Sequence, residues 1–191
     1  MSCSRRHQSQ AFSLIELLAT LAITGILVAV GVPNLSKLIS YNRATASINR
    51  IIGIVHLARS EAAKRGITVS LCPKVNDTCG TDSDWHKGIL IFADVNSNGN
   101  MDEEDSPITV LDSFAPERLS WRAWPTSKYL RFTSRGFMLN QNGSFTYCPA
   151  DNNSRYARQI IINKTGRPRL ARDSDHNGIV EDSQGQDVTC N

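Results

Sequence analysis

The chain changes character twice along its length. From Ala11 to Val32 it reads AFSLIELLATLAITGILVAVGV, 22 residues with one charge, Glu16. A helix of about 20 residues crosses a bilayer core of roughly 30 Å, so this stretch is long enough to span one. After Pro33, Asn34 reads as a cap and a helical pattern resumes. Ile48, Ile52, Val55, Ala58 and Ala62 recur at steps of four and three, an amphipathic stripe, with Arg43, Arg50 and Lys64 largely off it. Gly66 is the expected stop. From Ile67 onward the pattern shortens to strand-like runs separated by turns, at 67–72, 88–93, 108–114, 119–124, 129–133, 144–148 and 157–163. These elements predict an α+β architecture. A helix with a membrane-spanning half (12–33) and an amphipathic half (34–65) packs on a globular antiparallel β-sheet domain (67–191).

Composition narrows the class. The chain has 191 residues, 40% of them hydrophobic and 20% charged, which excludes a disordered chain and a multi-span membrane protein. Arg5 and Arg6 precede the apolar run without an acid, so the N-terminal end is expected to stay cytoplasmic and the rest to be exported. A secretory signal has an apolar core of about 7–15 residues and then a small-residue cleavage site. This run is longer, and Gly31-Val32-Pro33 leads straight into more helix. A carboxylate inside a spanning segment costs roughly 2.5 kcal/mol or more, so Glu16 needs a partner or a function.

Ala11-Phe12-Ser13-Leu14-Ile15-Glu16 resembles the class III leader junction of type IV pilins and type II secretion pseudopilins. The resemblance implies that a prepilin peptidase removes residues 1–11, cutting between Ala11 and Phe12, and methylates the new amine. It makes Glu16 the assembly carboxylate, facing the terminal amine of a neighbouring subunit. Ala11 stands where that family usually has Gly, and Pro33 where it usually has a helix-kinking proline. Further on, Ser70-Leu71-Cys72-Pro73, Cys79, Asp84-Trp85, Gly88, Phe92-Ala93-Asp94 and Thr165-Gly166-Arg167-Pro168-Arg169 resemble the GspH/FimT group, with FimT/FimU-type minor pilins nearest. The expected setting is the bacterial inner membrane, single-pass with a periplasmic domain, and then a pilus or pseudopilus. The expected partners are other pilins or pseudopilins and the peptidase.

The net charge of +3 conceals a segregation. Residues 74–117 hold ten acids and two bases, residues 119–172 ten bases and one acid, and residues 173–191 five acids and no Lys or Arg. If the basic strands share a face, they form a patch able to neutralise phosphates. Gly166-Arg167-Pro168-Arg169 lies at the end of that block, and Arg suits bidentate phosphate contact. It resembles the G-R-x-R motif by which FimT-type pilins of naturally competent bacteria hold DNA. That resemblance assigns Arg167 and Arg169 as principal contacts and Gly166 as shaping the loop; local charge adds Lys164 and Arg172. Trp121, Trp124, Tyr129 and Phe132 interleave with Arg122 and Arg131 and suit either stacking or a core. The alternative is a minor pseudopilin (protein H) of a type II secretion system, or a pilus-priming subunit, with no DNA role.

Removing the leader takes Cys3 and leaves Cys72, Cys79, Cys148 and Cys190, which allow three connectivities. Cys72 and Cys79 close a short Pro-containing loop, so the expected pairs are Cys72–Cys79 and Cys148–Cys190. The spacing does not suit zinc, and an exported domain favours disulfides. Asp94, Asn96, Asn98, Asp102 and Asp105 approximate a calcium loop, although Asp105 is shorter than the usual bidentate Glu and the flanks read as strands. A run from Asp173 starts similarly but has Gln184 at the twelfth position. Turn chemistry alone also accounts for both runs. His56, His86 and His176 lack ligand or triad spacing, and no nucleophile or phosphate-loop motif is present, so the chain is expected to be non-enzymatic.

Overall fold

A computed structural model describes residues 13–190. One helix, α1, runs Leu14–Arg65 without a break at Pro33. Pro33 cannot donate to the carbonyl four residues back. Asn34, expected as a cap, instead donates its side-chain amide to the Val30 carbonyl at 3.0 Å, and the expected single long helix runs through this point. Thr20, Thr24 and Ser36 likewise turn their hydroxyls onto helix carbonyls three or four residues back, at 2.8, 2.7 and 3.1 Å. Polar groups satisfied within the helix are what a low-dielectric environment demands. The chain divides into two units, residues up to Ile39 and residues from Ser40. In the first, every described side chain is exposed or nearly so, and the helix is long and apolar enough to cross a membrane.

In the second unit α1 presents the expected stripe, with Ala44, Ile48, Ile51, Val55, Ala58 and Ala62 buried. Ile51 takes the central position, while Ile52 is only partly buried at its side. The helix stops where Gly66 enters the left-handed region (φ 69°) and donates to the Ala62 carbonyl.

The strands form two antiparallel sheets rather than one. The first contains β1 (Val69–Val75), β2 (Thr78–Cys79), β3 (Ile89–Ala93) and β4 (Ser106–Leu111), in the order β2-β1-β3-β4; β6 (Leu130–Phe132) also pairs with β1. The second contains β5 (Arg118–Trp124), β7 (Asn142–Cys148), β8 (Arg158–Ile162) and β9 (Pro168–Leu170), in the order β5-β7-β8-β9. The continuous apolar run of β3 is explained by burial of both its faces. Ile89 and Ile91 join the main core, while Leu90 and Phe92 pack with Cys72 in a smaller cluster. The main core draws on α1 and both sheets. Trp85, in a short 3₁₀ turn, lies within it, its ring 5.1 Å from Phe145 and 6.4 Å from Trp121 of the second sheet.

Cys72 is bonded to Cys79 and Cys148 to Cys190. The second bond fastens the C-terminal tail to the end of β7, where Val188 and Ala157 complete a small apolar cluster.

Asp84 fastens the turn that carries Trp85. Its carboxylate accepts from the Thr81 backbone at 2.9 Å and the Thr81 hydroxyl at 2.7 Å, and meets Lys87 at 2.7 Å. Lys87 first, then Thr81, holds its pKa well below the usual carboxylate range. A depressed folded pKa contributes stability above the unfolded value of about 4, and that contribution is lost as pH falls toward the folded value. Melting temperature should therefore fall as the pH drops below about 4. Asp84→Asn should make that fall shallower; thermal melts of both proteins across the acid range check it.

Candidate nucleic-acid interface

The Gly166-Arg167-Pro168-Arg169 segment, expected as a loop, is half turn and half strand. Asn163 organises the turn: its side-chain oxygen accepts from the Thr165 backbone at 3.1 Å and the Arg167 backbone at 3.4 Å, and its carbonyl accepts from Gly166 at 2.8 Å. Pro168, Arg169 and Leu170 then form the edge strand β9, registered as Ile162↔Pro168, Ile161↔Arg169 and Ile160↔Leu170. An edge strand accommodates Pro168 because the missing N–H faces away from the ladder.

Gly166 is buried at φ 73°, and a Cβ there would lie 2.8 Å from both the Gly136 carbonyl and the Phe132 ring. Only glycine meets both demands. This close approach locks the turn to the neighbouring 133–138 turn, where Met138 donates to the Lys164 carbonyl at 3.1 Å. The Gly136 carbonyl also accepts from Arg59 Nε of α1 at 2.9 Å. Lys164, Arg167 and Arg169 are exposed. Arg135, exposed beside Gly136, and the half-buried Arg59 are brought to the same corner. The sequence does not single out either residue, since only tertiary packing joins positions 59, 136 and 166.

The basic block does not make one patch. Arg158 lies over the Tyr41 ring at 4.9 Å and Arg131 over Tyr129 at 4.7 Å. Arg172 borders a cleft it shares with Arg169, Asp175, Glu181 and Asp182, so tail carboxylates line its surroundings. The ion pairs among the described residues join Lys64 and Arg65 to Glu61, Lys74 to Asp77 and Lys87 to Asp84. No basic side chain between 119 and 172 takes part in one. Trp121 and Phe132 are core residues, Tyr129 packs beside Phe92, and Trp124 alone of these aromatics stands in solvent.

The 94–105 loop bonds chiefly to itself. Asp94 is fully buried and accepts from Ser70, Asn98 and Gly99. Asp102 accepts from the amides of Asn96 at 2.8 Å and Asn98 at 2.9 Å, which together hold its pKa down. Asp105 accepts from Val95 at 2.9 Å. Among the described residues, the carboxylates that gather within 4.8 Å of one another are Asp173, Asp175 and Glu181 of the tail. Ala11 and Phe12 lie outside the described residues. Glu16 is exposed in the first turn of α1, its backbone N–H 3.3 Å from the Ser13 hydroxyl that caps the helix.

Residues 47–166 match the family model described as type II transport protein GspH, and residues 6–32 match the prokaryotic N-terminal methylation motif. The chain belongs to the GspH family. No curated protein sequence matches it. Its fold is that of the type IV minor pilin FimU of Pseudomonas aeruginosa. One crystal form of that protein superposes with a TM-score of 0.55 at 20% identity, covering 78% of this chain and 96% of FimU. A second crystal form gives 0.52 at 20% identity, covering 77% and 99%. The pilin-like fold of this GspH-family chain therefore has a solved counterpart.

Proposed function

We propose that the chain is a minor type IV pilin, with no catalytic role, that assembles at or near a filament tip and binds DNA during uptake. The observation that carries this reading is the buried Gly166 turn, which holds Lys164, Arg167 and Arg169 on the surface, where none of them forms an ion pair among the described residues. Unpaired guanidiniums on a fixed turn suit phosphate oxygens, and their binding releases counterions from DNA. Arg135 adds charge beside them. Processing between Ala11 and Phe12, with Glu16 meeting the new amine of a neighbour, places the chain in the filament. Titrating the detergent-solubilised full chain with labelled duplex DNA at low and high salt tests the DNA role. The expected result is binding that weakens steeply with salt; no binding, or binding indifferent to salt, refutes it.

The GspH family match favours a second reading, a minor pseudopilin of a type II secretion system. Deleting the gene separates the two: loss of surface pili and DNA uptake supports the first, and loss of protein secretion with pili intact supports the second.

A further inference from the structure

We propose that the outer face of the second sheet seats a single-stranded segment of DNA, with Trp124 as a stacking platform and Arg122 and Arg169 as phosphate contacts. This rests on the DNA-binding reading above and assigns an adjoining surface, which shares Arg169 with it, and a different form of the ligand. The ladder registers supply the geometry. Arg122 of β5 pairs with Ser144 of β7, Ser144 with Ile161 of β8, and Ile161 with Arg169 of β9. Directly opposed residues in antiparallel strands share a face, so these four form one row across the sheet with an arginine at each end. Three strand spacings put the two arginine backbones about 14 Å apart. The face is the outer one, because Leu119, Trp121, Phe145 and Ile160, at the alternate positions, fill the core.

Between the two arginines the surface is concave, with Ile161 buried and Lys164 on its rim. Ser144 and Ile161 line a cleft of about 430 Å³ whose rim includes Asn142, Lys164, Thr165 and the tail residue Ser183. Trp124 follows Arg122 by two positions on β5, hence on the same face, and is 70% exposed. A large indole left in water on a strand, beside a cation and opposite Asn142, is an unused stacking surface. It suits the flat face of a nucleobase, and only an unpaired base offers that face, because a duplex keeps its bases stacked on one another. Arg169 also lines a second cleft, which holds the carboxylates of Asp175, Glu181 and Asp182. A strand crossing the row would run from Arg169 past Lys164 and over the cleft toward Arg122 and Trp124.

The two other tryptophans report nothing at this surface, since Trp85 is 0% and Trp121 3% exposed. Quenching of intrinsic fluorescence by direct base contact is thus assigned to Trp124. The full chain in detergent is titrated with an oligothymidine strand of about 12 nucleotides, a length within the site sizes of single-strand binders, and with a duplex of equal length. The single strand should quench emission, and Trp124→Ala should abolish that change and weaken single-strand binding about tenfold while leaving duplex binding unaltered. Trp124→Phe should retain most of the single-strand affinity, and Arg122→Gln should lower it. Wild-type affinity for the single strand in Trp124→Ala would overturn the proposal. So would unchanged DNA binding accompanied by loss of that variant from filaments, which would make the face a subunit contact. The broader reading fails separately, if neither DNA form binds the wild type or if Arg167→Ala with Arg169→Ala leaves duplex binding intact.

Discussion

Replacing Arg167 and Arg169 together by alanine should weaken duplex DNA binding about 100-fold at low salt. The two side chains are exposed and form no ion pair among the described residues, although Arg169 shares a cleft with Asp175, Glu181 and Asp182. A charge-assisted hydrogen bond contributes about 1.5 kcal/mol at the lower end, which for two arginines is about 3 kcal/mol, or two decades of affinity. The slope of log affinity against log salt should fall by about two, one for each phosphate that is no longer neutralised. Arg167→Lys with Arg169→Lys keeps the charge but not the planar fork, so it should retain the salt slope and lose about tenfold in affinity. Gly166→Ala provides a control without any loss of charge. Its Cβ would be forced against the Gly136 carbonyl, displacing the turn, so binding should drop although every arginine remains. Equal affinity of wild type and the double alanine variant in a salt-resolved titration would move the interface elsewhere. Thermal stability should hardly change in the double variant, because neither side chain is packed.

The helix and most strands were legible because their signals are local. Twenty-two nearly uncharged residues, a stripe at steps of three and four, and Gly66 each act over one or two turns. The strand at 168–170 was not legible, because Gly166 and Pro168 read as turn residues and only pairing with Ile160–Ile162 makes the segment extended. Asn34 misleads for a related reason. A capping residue after a proline looks like a helix start, yet its amide meets the Val30 carbonyl and the helix carries on. The charge blocks were visible as sums, but their partition was not. Whether an arginine meets water or a ring depends on tertiary packing such as Arg158 over Tyr41, a residue of the distant helix. Arg122 and Arg169 share a row only through three successive registers, and no spacing along the sequence encodes those. Turn chemistry in the 94–105 run satisfies its carboxylates internally, while the tail run with the poorer motif gathers its carboxylates more closely.

Trp85→Ala should destabilise the globular unit by about 3–5 kcal/mol, the range for emptying a buried aromatic site. Trp85 is fully buried and stands where the α1 stripe and both sheets converge, with Phe145 edge-on at 5.1 Å. Its indole N–H donates to the Ser127 carbonyl at 3.0 Å, tying the β5–β6 connection to the core. Truncation removes the ring, the aromatic pairing and that hydrogen bond together, and collapse is opposed by three rigid elements, so the cavity should persist. For a domain of this size each kcal/mol lowers the melting temperature by about 2–4 °C, which gives a fall of roughly 6–20 °C. Trp85→Phe separates the contributions. It keeps an aromatic ring against Phe145 but leaves the Ser127 carbonyl without its donor, at a cost of about 1–3 kcal/mol from that source. Circular-dichroism melts of the three proteins decide the matter, and a Trp85→Ala melt within about 2 °C of wild type, the shift expected for less than about 1 kcal/mol, would show that the two sheets are held by other residues. Because the Gly166 turn packs on Phe132, a member of the same core, the variant should also bind DNA more weakly at temperatures approaching its melt, before global unfolding is seen.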